Sequence, residues 1–264
     1  MRRSALSLCV VVLLCGCGGG SAAGSSFDPA EPGVLTVATA FLPAPGFWMG
    51  KPPTKGFEAQ FASALAGKLG LDRVHVVQVP FGQIIRGEFH GADLALSQLT
   101  PTEEREHSVD FSTPYLSAPP GVLARVEVDA ADTHDLRELQ WVVSRLSTLT
   151  PVVRDRVRPT KTPIEVEDRT EALEALRSGR ANALMLDLPV ALGLARDEAS
   201  LFHVLGQLDG EADIAAALPN GSGNREIVDS AIRGLKADGT VDDLFSRWFG
   251  TSADDVPLIL TEER

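Results

Sequence analysis

The chain alternates between two kinds of apolar pattern, and that alternation restricts its fold more than any other feature. "GVLTVATAFLP", from Gly33, is an alternating β-branched run that predicts a strand ending near Thr39. "GFEAQFASALAGKLGL" then places Phe57, Phe61, Leu65 and Leu69 at helical spacing and closes at Gly70. "RVHVVQVP" predicts a second strand, "FGQIIRGEF" a short helix and "ADLALSQ" a third strand. Strand, helix, strand, helix, strand implies a parallel sheet with right-handed crossovers.

The pattern then restarts. "LQWVVSRL", "TPIEVE" and "ANALMLD" predict strands, with a helical stretch after the first. "DRTEALEALRSG" lies between the last two, with Asp168 and Glu171 at capping-box spacing and Gly179 as the stop. "ADIAAALP" is one more extended segment, expected to carry the chain back to the first unit. "REIVDSAIRGLKADGTVDDLFSRWFG" predicts two helices about a turn at Ala237–Gly239. The expected architecture is α/β and two-lobed, each lobe a mostly parallel sheet flanked by helices. Lobe 1 takes residues 33–117 plus 216–264 and lobe 2 takes 118–215. Two crossings between lobes make a hinge, and closure over a ligand is its usual consequence.

Ahead of the folded part, Arg2 and Arg3 precede an apolar run from Ala5 to Leu14 and then small residues, the pattern of a secretory signal. The run is too short to span a bilayer, which takes about 20 apolar residues. Leu14, Cys15, Gly16 and Cys17 form a lipobox-like site in which Gly16 precedes the modified cysteine. Residues 1–16 are thus expected to be a lipoprotein signal peptide. Cys17 would carry the lipid, and residues 17–32 would be a flexible tether. Cys9 and Cys15 leave with the signal, so the exported domain has no disulfide and rests on its core alone. The whole chain carries 24 basic and 36 acidic residues. Without Arg2 and Arg3 the remainder has a net charge of −14, which argues against nucleic acid or an anionic lipid surface as partner.

In open parallel sheets, ligands sit beyond the carboxyl ends of the strands. The residues there are Phe41, Phe81, Ser97, Gln98, Thr100 and Arg105 in the first lobe, and Arg145 to Thr148 and Asp187 in the second. Thr100, Pro101 and Glu103 fit an N-cap, an N1 proline and a capping-box acid. Arg105 beside such a helix start suits a carboxylate, which its guanidinium can meet with two parallel hydrogen bonds. A plain cap with a solvent arginine fits the same spacing. Asp187 fits either an N-cap or a carboxylate held at the cleft for an ammonium group. Taken together, Arg105 on one lobe and Asp187 on the other describe a clamp for a zwitterion. Phe47 and Trp48 fit the core as well as the cleft.

Of the five histidines, none falls in a metal-ligand spacing or at an expected strand end. "NGSGN" lacks the G-x-S-x-G pattern of a nucleophile elbow, and phosphate-loop signatures are absent. No enzyme activity, metal or cofactor is expected.

"GADLALSQLTPTEEREHSVDFSTPYL", with support from "GFEAQFASALAGKLG", "GRANALMLDLPVAL" and "LKADGTVDDLFSRWFG", resembles the polar-amino-acid branch of the bacterial extracellular solute-binding proteins that feed ABC importers. The resemblance implies a periplasmic-binding-protein fold closing on one polar amino acid, which an ABC permease then receives. It implies a monomer, lipid-anchored through Cys17 on the extracytoplasmic face of the cell membrane. By position, Arg105 would hold the α-carboxylate with Thr100 beside it, and Asp187 the α-ammonium. Phe41 and Phe81 would flank the ligand, while Ser147 and Thr148 would meet its carboxylate from the second lobe. The chain departs from the family pattern at Gln98 and Leu146, where glycine is usual, and at Ala38, where an acid is common. Glu58 and Asn182 each stand for an aspartate. The aromatic pair and these departures imply a moderate-sized, uncharged ligand side chain. A ligand sensor for a membrane signalling partner, or a dehydratase-like enzyme on the same fold, are the alternatives.

Overall fold

The computed structural model describes residues 26–40, 42–51, 53–210, 212–249 and 256–259. The expected signal peptide, Cys17 and Phe41 lie outside the described residues. In chain order the strands are β1 (Val34–Thr39), β2 (Arg73–Gln78), β3 (Leu94–Leu99), β4 (Val109–Phe111), β5 (Leu116–Ala118), β6 (Pro120–Arg125), β7 (Trp141–Ser144), β8 (Ile164–Val166), β9 (Ala183–Asp187), β10 (Phe202–Gln207) and β11 (Ala212–Pro219). The helices are α1 (Phe57–Lys68), α2 (Phe81–Ile84), α3 (Glu103–Glu106), α4 (Thr133–Glu138), α5 (Thr150–Val152), α6 (Arg169–Arg177), α7 (Leu188–Asp197), α8 (Arg225–Ala237) and α9 (Thr240–Phe249). After α5 the helix widens into a π turn over Val153–Val157.

Two mixed sheets result. The first runs β2-β1-β3-β11-β4, and the second β10-β6-β9-β7-β8. Each keeps the parallel trio that the alternating pattern implies, β2-β1-β3 in one and β9-β7-β8 in the other. Antiparallel strands complete both sheets. Several of these, β4, β5, β6 and β10, are not foreseen from the sequence, nor is α4. β6 opens with Pro120, which a strand tolerates at its first residue, where the missing N–H costs no ladder bond.

The lobes are joined where β5 runs into β6 and β10 into β11. There β5 and β11 pair antiparallel, Ala118 opposite Ala212 and Leu116 opposite Ile214. The two connections therefore form one ladder, which restrains sliding while leaving bending free. β11 continues from this ladder into the centre of the first sheet.

The core of the first lobe follows from the helical spacing. Phe57, Phe61 and Leu65 of α1 are fully buried, and Phe61 stacks on Tyr115 with ring centres 4.5 Å apart. Val228, Ala231, Ile232 and Leu235 of α8 recur at positions i, i+3, i+4 and i+7 and turn the same face inward. Gly239, at φ +81°, makes the left-handed turn into α9.

Two boundaries differ from the expected ones. The tether was expected to reach residue 32, yet Phe27 is buried in the core. The Asp28 N–H donates to Asn224 Oδ1 at 2.9 Å, and Asn224 returns a bond from Nδ2 to the Asp28 carbonyl at 2.8 Å. The Ala30 N–H donates to Asp93 at 2.7 Å. One phenylalanine among small and polar residues is enough to dock the segment. At the other end, Val256–Ile259 belongs with the second sheet, where residues up to 264 were expected in the first lobe. The Gln207 N–H donates to the Pro257 carbonyl and the Ile259 N–H to the Gln207 carbonyl, each at 2.8 Å. Ile259 is buried among Trp141, Val143 and Leu208. The free edge of β10 is thereby covered, a common protection against edge pairing.

Phe27→Ala removes a docked aromatic at the very start of the fold. It is expected to lower unfolding stability by about 3 kcal/mol, the scale for emptying a buried phenylalanine site. A flexible residue 27 would give no change in a denaturant titration.

Candidate functional site

Between the two lobes lies a cavity, open to solvent at its mouth, bounded on one side by Leu42, Phe81, Gln98, Thr100 and Arg105. Leu146, Ser147, Thr148, Arg169 and Asp187 are prominent on the other side.

Arg105 lies on α3 but not as the spacing suggested. The N-cap is Thr102, whose hydroxyl accepts from the Arg105 N–H at 3.2 Å, so the helix begins two residues later than a Thr100 cap would start it. Thr100 instead gives its carbonyl to Arg105 Nη1 at 2.8 Å. Nη2 reaches the other lobe and donates to the Leu146 carbonyl at 2.9 Å. The guanidinium carbon lies 5.5 Å from the centre of the Phe81 ring, within cation–π range. Arg105 is only 8% exposed. Burial pulls its pKa below the usual arginine range, against the pull of Glu104 and Asp187. It stays charged at any physiological pH.

Asp187 ends β9 and begins α7. It occupies the N-cap position, yet its side chain makes no capping bond. The carboxylate is thus not spent on the helix and stands buried at the cavity wall. Burial raises its pKa; the charge of Arg169, a bond from its own backbone N–H and, less strongly, the charge of Arg105 oppose the rise without cancelling it. A buried carboxylate of this kind gains from an ammonium brought beside it.

Ser147 and Thr148 line the cavity in the turn after β7. The Ser147 hydroxyl also accepts from the Leu149 N–H at 3.2 Å, and Thr150 Oγ1 fixes the turn by donating to the Ser144 carbonyl at 2.6 Å. Ser97 is at the expected strand end but does not face the cavity. It is buried, and its hydroxyl accepts from the Ala40 N–H at 3.2 Å, tying β3 to the end of β1.

Gln98 does face the cavity, and in an unusual conformation, with φ +49°. A left-handed backbone costs a non-glycine residue about 1–2 kcal/mol. Its contacts offset that cost. The Gln98 N–H donates to Glu58 Oε1 at 2.8 Å and Nε2 to Glu58 Oε2 at 2.5 Å. The Tyr115 hydroxyl donates to Glu58 Oε1 at 2.5 Å. Glu58 is fully buried; burial raises its pKa, and these donors hold it down in part. Gln98 Oε1, on its other side, accepts from Arg169 Nη1 at 3.2 Å.

Arg169 was missed in the sequence. Asp168 caps α6 as expected, accepting from the N–H groups of Thr170 and Glu171 at 2.8 and 3.1 Å. Arg169 is the next residue, just beyond the carboxyl end of β8. The strand-end rule that singled out Asp187 applies equally to β8 and would have found it.

The lobes also touch away from the cavity. Gly193 of α7 lies against the loop after β1, where a Cβ would fall 2.3 Å from the Pro45 carbonyl oxygen. Arg196 Nη1 donates to the Trp248 carbonyl at 3.1 Å.

Residues 36–251 match a family model, the bacterial extracellular solute-binding proteins, family 3. The L-cystine-binding protein TcyJ of Escherichia coli K12 is 28% identical over 202 residues, 74% of this chain and 74% of that protein. Among solved structures, an ancestral arginine-binding protein bound to glutamine matches with a TM-score of 0.70 and 27% identity, over 84% of this chain and 100% of the other. The ancestral amino acid-binding protein AncCDT-1, a precursor of cyclohexadienyl dehydratase, matches with a TM-score of 0.69 and 29% identity, over 82% and 96% of the two chains.

Two substitutions probe this geometry. Gly193→Val puts a side chain where the lobes meet, so ligand affinity should fall by about tenfold or more although no ligand contact changes. Unchanged affinity in a calorimetric titration would show that closure does not need this contact. For Asp187 the sign follows from its raised pKa: above the ordinary carboxylate range, keeping the buried group charged costs folding stability. Asp187→Asn should therefore melt no lower than the parent at pH 7 without ligand; a clearly lower melting temperature would mean that its pairing with the arginines outweighs its burial.

Proposed function

The chain belongs to the bacterial extracellular solute-binding proteins of family 3, and from that premise we propose that it captures one polar L-amino acid between its lobes and delivers it to an ABC import permease. The observation that carries this reading is the pairing of two buried, oppositely charged groups on facing walls of one cavity, Arg105 and Asp187. An α-carboxylate meets the guanidinium, with the Thr148 hydroxyl as a further donor from the second lobe. The α-ammonium meets Asp187. Because each lobe contributes one charge, a zwitterion satisfies both only when the lobes are together, so binding and closure are one event. The turn of Ser147 and Thr148 rides on the second lobe and completes the carboxylate seat on closing.

Arg105 also donates to the Leu146 carbonyl across the cleft. On arrival the ligand carboxylate takes this donor over, exchanging a neutral acceptor for a charged one that binds more strongly. A selective gain of that kind is what shifts a hinged protein towards its closed form.

The relatives' names support the substrate class, since the matched proteins bind cystine, arginine or glutamine. Lipid anchoring through Cys17, at the extracytoplasmic face of the membrane, is supported by the apolar run from Ala5 to Leu14 and by Gly16. The protein acts as a monomer in this reading, tethered near its permease.

Arg105→Ala should weaken the binding of the preferred amino acid by about 3–5 kcal/mol, the scale for stripping one partner from a buried charge pair. Isothermal titration against the twenty amino acids, on the parent and on this variant, measures it. Parental affinity in Arg105→Ala would remove the carboxylate seat from the reading.

A further inference from the structure

We propose that Arg169, held in place by Gln98, reads the side chain of the bound ligand and selects an amino acid whose side chain ends in an oxygen acceptor, a carboxylate or a carboxamide. This rests on the amino-acid clamp of the preceding subsection and extends it. If Arg105 takes the α-carboxylate and Asp187 the α-ammonium, the cavity wall still carries one more charged fork, the guanidinium of Arg169. Among the described residues, its recorded hydrogen bonds all come from Nη1, to the Pro43 carbonyl and to Gln98 Oε1, each at 3.2 Å. Nε and Nη2 remain for a ligand. An oxygen acceptor fits those donors, whereas a cationic side chain would meet like charge.

The orientation is fixed from behind. The Gln98 amide turns its nitrogen to the Glu58 carboxylate, which leaves only its oxygen to face the second lobe. That oxygen can accept from a guanidinium and cannot donate to it. Tyr115, Glu58, Gln98 and Arg169 thus form one hydrogen-bonded chain from the buried core of the first lobe to the cavity wall of the second. Glycine at position 98 would relieve the left-handed backbone but release the guanidinium. Gln98 is accordingly a positioning residue and Arg169 the contact.

The test separates selectivity from overall affinity. Dissociation constants for L-glutamine, L-glutamate, L-leucine, L-ornithine and L-arginine are measured on the parent, Arg169→Met, Arg169→Lys and Gln98→Gly, with melting curves to establish that each variant is folded. The parent should favour glutamine or glutamate over ornithine and arginine by about 10- to 100-fold, the range for hydrogen bonds to a charged group. Arg169→Met should erase that preference, weakening glutamine and glutamate more than leucine; Arg169→Lys, which keeps the charge and loses the fork, should lose most of it, and Gln98→Gly should fall between. A parent that prefers cationic amino acids, or an Arg169→Met protein that loses all five ligands in equal proportion, overturns the assignment and makes Arg169 a latch between lobes. Should the parent bind none of the five nor any other amino acid, the clamp itself fails and this assignment with it.

Discussion

The site depends on a carboxylate that the fold buries without giving it a capping role. Asp187 stands at the junction of β9 and α7, where an aspartate ordinarily caps the helix, but its side chain makes no such bond. Burying it raises its pKa, and the nearby arginines and its own backbone N–H make up only part of the cost. A charge kept under those terms is poised for a partner that comes and goes. Facing it across the cleft, Arg105 gives its two terminal nitrogens to backbone carbonyls, one of them on the opposite lobe. Neutral acceptors of this kind are readily exchanged for a ligand carboxylate.

The remainder of the molecule brings these two groups together. The β5–β11 ladder forms the hinge, and β11 passes directly from it into the first sheet. Contact at Gly193 and Pro45, and from Arg196 to the Trp248 carbonyl, closes the rim on one side. The tail adds a return to the second sheet: Val256–Ile259 covers β10 although α9, just before it, packs against α1 and α8 of the first lobe. Only glycine at position 193 permits the observed approach, so the degree of closure is written into a residue remote from the ligand.

Much of this was legible in the sequence for a definite physical reason. Buried parallel strands need near-continuous apolar residues and their crossover helices need a 3.6-residue repeat, so β1 to β3 and α1 announce themselves. Arg105, Thr100, Gln98, Phe81, Ser147, Thr148 and Asp187 were singled out because ligands sit at strand ends, and all line the cavity. Of the strands that failed to show, β4 and β5 are three residues each, which leaves little room for a period, while β6 and β10 have six, β6 opening on Pro120-Gly121, a turn signal, and β10 carrying Gly206. The Thr100 cap failed because Thr102 offers the same hydroxyl two residues later and nothing local chooses between them. Ser97 failed for another reason. A strand end has two faces, and its hydroxyl turned to the neighbouring strand. Arg169 lies three residues beyond the end of β8 and directly after the Asp168 cap, so in sequence it reads as an ordinary first-turn residue of α6.

The central claim is that one ligand must satisfy both buried charges at once. Its most direct test compares the preferred free amino acid with its N-acetyl derivative, which lacks the ammonium, and its α-carboxamide, which lacks the carboxylate. Each is added to the domain starting at Ser26, and the gain in unfolding stability is measured. At about 100 times its dissociation constant the free amino acid should add about 2.7 kcal/mol, and neither derivative should add a comparable amount at the same concentration. Equal stabilisation by either blocked form would contradict the account, since it would mean that Arg105 and Asp187 are not the two ends of a zwitterion clamp.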